Sequence, residues 1–377
     1  MNELGSLRIG ITGVVGMIGT HLRTFLQTKP DVTAIPCPDE YFQDPPQLDQ
    51  FVSSCDAIVH LAGMNRGLEE EILETNLRLT RALTDACDRT NGKPHILFAD
   101  SIRKTRGDAY GQSKTQCAEL LQAWAGQAGA LFTDLVLPNV FGEGARPFYN
   151  SVVATFCYQI ANGQEPAILV DAEMELLHAQ EVALIINEAI HGPSTGEVRP
   201  QGTRLHVSDL LERLKEMDRS YRVHIFPRLE NDFALALFNT FRSYLYPAHY
   251  PVRIPQHQDS RGVLVETVKS QNGGQCFVSW THSGITRGNH YHLRRLERFL
   301  VLQGLGLLRI RKLFSNEVQE FPLDGSAPAY VDIPTLHAHS IANVGAEPLI
   351  TLFWSHQLLD PAHPDQFPEE VQPWASR

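Results

Sequence analysis

The chain has 377 residues, 43% hydrophobic and 20% charged, enough to bury at least one full core and to favour two domains. A formal net charge of -11 excludes nucleic acid and anionic lipid as main partners. No apolar run spans a bilayer, the N-terminus lacks a secretion signal, and the six cysteines form no C-x-x-C pair; the expected setting is the reducing cytoplasm, away from membranes.

Up to about residue 245, short apolar strands alternate with helical segments, which implies a doubly wound parallel sheet covered by helices. The first predicted strand, Leu7 to Thr12, runs into Thr12-Gly13-Val14-Val15-Gly16-Met17-Ile18-Gly19. A helix follows, with Ile18, Leu22, Phe25 and Leu26 at helical spacing as its buried stripe. Glycines here let the backbone approach a pyrophosphate seated on the helix N-terminus; the alternative is a turn needed only for packing. After the second strand come Cys37-Pro38-Asp39-Glu40, where Asp39 suits NAD by its charge while its register stays open. A later strand from Ala57 ends in His60-Leu61-Ala62-Gly63-Met64-Asn65-Arg66, small residues that leave room for a ligand at the sheet edge. The strand from His95 delivers Ser101 to the same edge. In Tyr110-Gly111-Gln112-Ser113-Lys114, a helix would place Tyr110 and Lys114 one turn apart. Nearby positive charge lowers a phenol's pKa, which suits Tyr110 to proton exchange, with Ser101 orienting the substrate oxygen.

These motifs resemble the extended short-chain dehydrogenase/reductase family, a Rossmann-type fold. Its T-G-x-x-G-x-x-G loop falls on Thr12, Gly13, Gly16 and Gly19, and its Ser, Tyr-x-x-x-Lys triad on Ser101, Tyr110 and Lys114. The resemblance implies that these three are catalytic. It implies a nicotinamide cofactor on Thr12, Gly13, Gly16, Met17, Ile18, Gly19, Leu61, Ala62, Gly63, Tyr110 and Lys114. Asn65, Arg66 and Asn139, the last in Leu137-Pro138-Asn139-Val140-Phe141-Gly142, are the implied substrate contacts.

The proline-rich stretch from Tyr244 to Gln258 ends the alternating pattern, and β-like runs separated by glycine turns follow. The expected domains are therefore 1–245 and 246–377, the second an all-β barrel. Within it Gly284, His290, His292, Glu297 and Gly304 are spaced G-x5-H-x-H-x4-E-x6-G, and Pro334, His339 and Asn343 follow as P-x4-H-x3-N. Two histidines two apart on a strand share a face, and a glutamate with a third histidine closes a His3Glu set around a divalent cation. The pattern resembles the two cupin motifs, with Leu336 where a glycine is usual. A cupin that has lost its metal is the alternative. Thr286-Arg287-Gly288-Asn289-His290 resembles sugar-nucleotide 3,5-epimerases of that superfamily, which implies a phosphate contact for Arg287; a metal on His290 would leave the base unassigned.

Taken together, the two parts resemble the CapF family of bifunctional capsular-polysaccharide enzymes and its O-antigen relatives. The resemblance implies C3 epimerisation of a UDP-2-acetamido-2,6-dideoxy-4-ketohexose by the cupin, then NADPH-dependent C4 reduction to the L-talose sugar nucleotide. NADH stays open as the reductant. Zinc in the cupin and a homodimer are further family expectations. A reductase with a purely structural, dimer-forming cupin, and a non-enzymatic dinucleotide sensor, are the competing readings.

Overall fold

A computed structural model describes residues 6–192 and 195–372. They form two compact units, one running through Thr155 and resuming over Leu169–Val207, the other comprising Phe156–Ile168 and the chain from Ser208.

In the first unit β1 (Leu7–Thr12), β2 (Val32–Cys37), β3 (Ala57–His60), β4 (His95–Ser101) and β5 (Phe132–Leu137) alternate with α1 (Met17–Leu26), α2 (Pro45–Ser53), α3 (Glu69–Thr90) and α4 (Ala109–Ala128). Then come β6 (Asn139–Phe141), α5 (Val152–Ala161), which crosses between the units, β7 (Glu173–His178), α6 (Ala179–His191), β8 (Gly196–Val198) and β9 (Thr203–His206). The main sheet is parallel, in the order β2-β1-β3-β4-β5-β8. Its central strands read as continuous apolar runs because helices cover both faces; β4 is buried along nearly its whole length. Pro36, which has no N–H to give, sits on the edge strand β2. From β1 the chain steps outward to β2 and then returns past β1 to β3. The switch point, where such sheets bind ligands, therefore lies above the carboxyl ends of β1 and β3.

After the Phe156–Ile168 stretch, the second unit continues with α7 (Val207–Arg222), β10 (Ile225–Phe226) and α8 (Asp232–Ser243). Next are β11 (Val252–Arg253), the hairpin of β12 (Gln256–Asp259) and β13 (Gly262–Val265), and β14 (Lys269–Ser270). The longer strands are β15 (Gln275–Thr281), β16 (Thr286–Tyr291), β17 (Glu297–Gln303), β18 (Leu305–Lys312), β19 (Val318–Asp324), β20 (Ala329–Ile333), β21 (His337–Asn343) and β22 (Leu349–Ser355), with β23 (Phe367–Pro368) last. They build two antiparallel five-stranded sheets, β11-β20-β17-β22-β15 and β19-β18-β21-β16-β23. Phe299, Leu300, Leu308, Ile310, Ile341 and Leu352 join a single apolar core from both sheets, the arrangement of a cupin-like sandwich.

The sequence changes texture near residue 245, whereas the compact division falls at Ser208. Helices α7 and α8 carry helical spacing but share polar and aromatic partners with the barrel. Tyr221 of α7 donates to Asp332 of β20, and Asn239 of α8 donates to the Arg294 carbonyl at 2.9 Å. Among the described residues no helix is long and apolar enough to cross a membrane.

Candidate functional site

Thr12 fastens the switch point. Its Oγ1 accepts from the N–H groups of Leu61 (3.1 Å) and Ala62 (3.0 Å) and lies 2.9 Å from His60 Nδ1. With two N–H groups on that oxygen, the hydroxyl proton points to His60. Burial, then the charge of Lys114, holds His60 down at about 3, so it is a neutral tie between strands. Gly13 has φ +64, and a Cβ there would lie 2.8 Å from the Ala62 nitrogen. At Gly19 a Cβ would lie 2.5 Å from the Gly13 carbonyl oxygen. This close helix–strand approach explains a departure from the expected stripe: Leu22, Phe25 and Leu26 are buried, but Ile18 is half-buried, since Gly19 and His21 fill the inner face of the first turns. Gly16 caps α1 without a side-chain hydrogen bond, and the first turn holds no acidic residue. Its N–H groups are thereby left for an anion.

Beside this crevice, Ser101 ends β4 and its Oγ accepts from the Arg103 N–H at 3.2 Å. Helix α4 starts at Ala109 because Asp108 caps it, accepting from Gly111 N–H at 2.7 Å. Gly111 is required by proximity, as a Cβ there would lie 2.6 Å from the Arg103 carbonyl oxygen. Tyr110 and Lys114 are one turn apart, as expected. The Tyr110 ring has the Arg103 guanidinium 5.2 Å and the Lys114 ammonium 5.7 Å from its centroid. Lys114 is buried and donates to the Ala99 carbonyl at 2.6 Å, which leaves two of its three protons for other acceptors.

Asn65 keeps a buried Oδ1 with no partner, whereas Arg66 is engaged, donating to the Tyr149 carbonyl at 2.8 Å. Asn139 donates to the Glu175 carbonyl at 3.2 Å and is exposed. Sequence reading missed Asn76. It accepts from Met64 N–H at 2.6 Å and donates to the Met64 carbonyl (2.9 Å) and Ser113 Oγ (2.8 Å), tying the loop after β3 to α4. The sequence offers only its four-residue spacing with Ile72 and Thr80, a stripe that the structure shows to be buried. Also unforeseen is a buried group of His21, Glu143 and His178. His178 Nδ1 accepts from Gln180 N–H at 3.4 Å, so Nε2 carries the proton it gives Glu143 at 2.9 Å. That hydrogen bond ties the end of β7 to the loop after β6, and His21 Nε2 of α1 reaches the Glu143 carbonyl of the same loop at 3.1 Å.

In the second unit a bulge at Gly288 to His290 sets the site. Arg287 pairs with Ile341 and His290 with His339, so the extra residue brings two odd-spaced side chains to one face, that of the core residue Ile341. Leu336, in the expected glycine position, takes φ +61. It is buried, its N–H donates to the His292 carbonyl at 3.1 Å, and its carbonyl accepts from Leu313 at 3.0 Å. These contacts hold a strained turn that costs about 1 kcal/mol or more.

His290, His292, Glu297 and His339 each offer a ligand atom within 4.8 Å of the others. Glu297 Oε2 is 3.1 Å from both His292 Nε2 and His339 Nε2. All three imidazoles spend the other nitrogen on a backbone carbonyl: His290 on Gly288, His292 on Asp365, His339 on His337. His290 Nε2 is buried without a partner. Burial, then the neighbouring imidazoles His339 and His292, hold His290 neutral down to about 3, and burial also lowers His339. An imidazole with a single proton, donated through Nδ1, presents a lone pair at Nε2, facing a carboxylate that also only accepts. Such a set needs a cation, and metal bonds of roughly 2.0–2.2 Å would space ligand atoms at roughly 3–3.5 Å. The residues fit a divalent metal. Arg287 Nε donates to Thr281 Oγ1 at 2.9 Å beside them.

Residues 9–200 match the NAD dependent epimerase/dehydratase family, and residues 257–367 the polysaccharide biosynthesis C-terminal domain. A UDP-2-acetamido-2,6-beta-L-arabino-hexul-4-ose reductase from Pseudomonas aeruginosa is 31% identical, over 96% of this chain and 98% of that protein. The crystal structure of the capsular polysaccharide assembling protein CapF from Staphylococcus aureus is 32% identical, with a TM-score of 0.61, covering 96% of this chain and all of that one. A UDP-N-acetylglucosamine 4-epimerase from Methanobrevibacter ruminantium M1, 18% identical with a TM-score of 0.54 over 64% of this chain and 99% of its own, shares the fold. The chain is a member of the NAD dependent epimerase/dehydratase family, in the two-part branch that CapF represents, and is an NAD(P)-dependent oxidoreductase.

Proposed function

We propose that this chain is a bifunctional sugar-nucleotide enzyme. The cupin epimerises C3 of a UDP-2-acetamido-2,6-dideoxy-4-ketohexose, and the Rossmann unit reduces the C4 ketone to UDP-2-acetamido-2,6-dideoxy-L-talose. The observation that carries the reading is the pairing, in one chain, of the Ser101, Tyr110 and Lys114 constellation with an acceptor-only His3Glu set that shares its face with Arg287. The Pseudomonas aeruginosa relative is named as a reductase of such a sugar.

The two chemistries support each other. A C4 ketone acidifies the C3 proton, and its enolate calls for positive charge or fixed donors. A divalent metal, zinc by the family resemblance, held by His290, His292, Glu297 and His339 would supply Lewis-acid stabilisation. Arg287 takes the diphosphate. Ser279, Thr351 and Ser355 add buried hydroxyls that have no partner among the described residues, as a site for a polyhydroxylated ligand would. In the Rossmann unit the dinucleotide seats on Gly13, Gly16, Met17, Ile18 and Gly19 and beside Leu61, Ala62 and Gly63. When bound it would supply hydride chemistry, with Tyr110 placed to donate the proton to the C4 oxygen and Ser101 to orient that oxygen. Lys114 holds the nicotinamide ribose with its remaining protons. Asn65, Arg66 and Asn139 face the sugar nucleotide. The expected working form is a cytoplasmic homodimer.

In deuterated water, the 4-keto-6-deoxy sugar nucleotide is expected to gain C3 deuterium without dinucleotide and to oxidise reduced dinucleotide when it is added. Mass spectrometry and absorbance read the two separately. Oxidation without exchange would leave a reductase carrying a structural cupin; neither event would overturn the substrate.

NADPH is the reductant the resemblance implies, but one observation favours NADH. Thr12 pairs with Cys37, so Asp39 lies just past the edge of β2, 20 residues beyond Gly19, where an acidic side chain meets a ribose 2′-hydroxyl. Segments 13–16, 37–44 and 61–65 contain no Lys or Arg for a 2′-phosphate. NADH is expected to bind at least about tenfold more tightly than NADPH by fluorescence titration, a difference of about 1.4 kcal/mol. Asp39→Arg should move the ratio toward NADPH. Tighter NADPH binding by the unaltered chain would return the choice to the family cofactor.

A further inference from the structure

We infer that Asp365 is the residue that makes His292 a metal ligand, acting through the C-terminal strap. The inference rests on the His3Glu set holding a divalent cation. Its origin is an asymmetry among the three histidines. His290 and His339 each use the carbonyl two residues earlier on their own segment, Gly288 and His337. His292 lies just past the end of β16, and its Nδ1 proton goes instead to the carbonyl of Asp365, 73 residues along the chain. A carbonyl only accepts, so this contact fixes the tautomer and aims the Nε2 lone pair at the site.

That carbonyl is itself held. The Asp365 carboxylate accepts from three consecutive N–H groups after His292: Leu293 at 2.9 Å, Arg294 at 3.1 Å and Arg295 at 2.8 Å. Asp365 therefore grips the metal-site segment twice, with its side chain on residues 293–295 and with its main chain on His292. It adopts φ +39, a conformation that the surrounding contacts must maintain. The strap on either side follows the same loop and strand. The Arg295 guanidinium donates to the Pro364 carbonyl, β23 pairs Phe367 with Tyr291 and Pro368 with His290, and Glu369 N–H donates to the Asn289 carbonyl at 2.9 Å. Arg311 closes the far end, donating to the Val371 carbonyl at 2.8 Å. Residues 364–371 thus run along the segment that presents two of the four ligands.

The test is metal affinity in the full chain, read by competition with a chromophoric zinc chelator and by the visible spectrum of the cobalt-loaded protein. Asp365→Ala removes all three carboxylate contacts and is expected to weaken zinc binding about 10- to 100-fold, the usual effect of losing the group that orients a ligating histidine. Asp365→Asn keeps one carbonyl-type oxygen for residues 293–295 and should fall between. The cobalt spectrum of either variant should lose tetrahedral intensity as His292 leaves the coordination sphere, a change that general loosening of the barrel would not produce. Dinucleotide binding to the Rossmann unit should stay unchanged and serves as the folding control. Zinc affinity within about twofold of the unaltered chain in both variants, with the same cobalt spectrum, overturns the role of Asp365. An unaltered chain that takes up neither metal overturns the His3Glu site itself and the inference with it.

Discussion

Replacing Tyr110 by phenylalanine is expected to lower the rate of ketone reduction about 10²- to 10⁴-fold, the contribution of a positioned general acid. The substitution removes one oxygen and keeps the ring between the cations of Arg103 and Lys114. Helix α4 should persist, because its cap rests on Asp108 and Gly111, and the Lys114 contact with Ala99 does not involve the phenol. Dinucleotide affinity should change less than about threefold, so the loss would lie in the chemical step. C3 deuterium exchange, which the proposed function assigns to the other unit, should continue at its original rate. Reduction that continues unimpaired would remove Tyr110 from the reaction, and loss of exchange together with reduction would point to a defect beyond the hydroxyl. Lys114 makes a useful contrast. Its buried ammonium braces the Ala99 carbonyl, so Lys114→Met should weaken dinucleotide binding as well as turnover.

What could be read from the sequence shares one property: the residues involved are near neighbours in the chain. The strand, glycine loop and helix around Thr12 to Gly19, the Tyr110 and Lys114 spacing, and the His-x-His of the barrel are all set by local spacings of two to four residues. The structure reproduces β1 at the bounds expected and starts α4 one residue from Tyr110. Strand and helix periods could not reveal which distant carbonyl turns His292, that Asn76 ties two loops, or that His21 and His178 share Glu143. Those are polar contacts across long stretches of chain, and polar residues inside a stripe look like ordinary surface positions until the fold buries them. Leu336 shows a milder limit. A leucine at φ +61 runs against local preference, and only its burial and two backbone hydrogen bonds make the turn tenable. Helix α7 falls in the second unit, where Tyr221 packs its ring against Phe226, Phe238 and His249 and donates its phenol to Asp332.

That phenol belongs to the network with the largest expected effect on stability. Arg298 and Asp332 are both almost fully buried and pair across β17 and β20, with Nε to Oδ1 at 2.6 Å and Nη2 to Oδ2 at 2.8 Å. The guanidinium lies 3.4 Å from the Tyr330 ring centre and 4.4 Å from that of Phe226. Tyr221 donates to the same carboxylate and sits 2.6 Å from the Tyr250 hydroxyl. Asp332→Ala would leave a buried cation with no counter-charge and is expected to cost about 3–5 kcal/mol, a large share of the roughly 5–15 kcal/mol available to a folded domain. Denaturant unfolding of the full chain, followed by tryptophan fluorescence, measures it. The double variant Arg298→Met with Asp332→Leu should recover most of the loss, because a buried pair exchanged for apolar groups of similar volume is close to neutral. Recovery would show that the pair fixes the geometry of the barrel more than it raises its stability. Since Glu297 precedes Arg298 and pairs with Ile333, beside Asp332, the double variant should then fold well yet bind zinc less tightly than the unaltered chain. A single variant that loses less than about 1 kcal/mol would mean that water reaches the cation, and that the aromatic rings rather than the carboxylate hold the helices to the barrel.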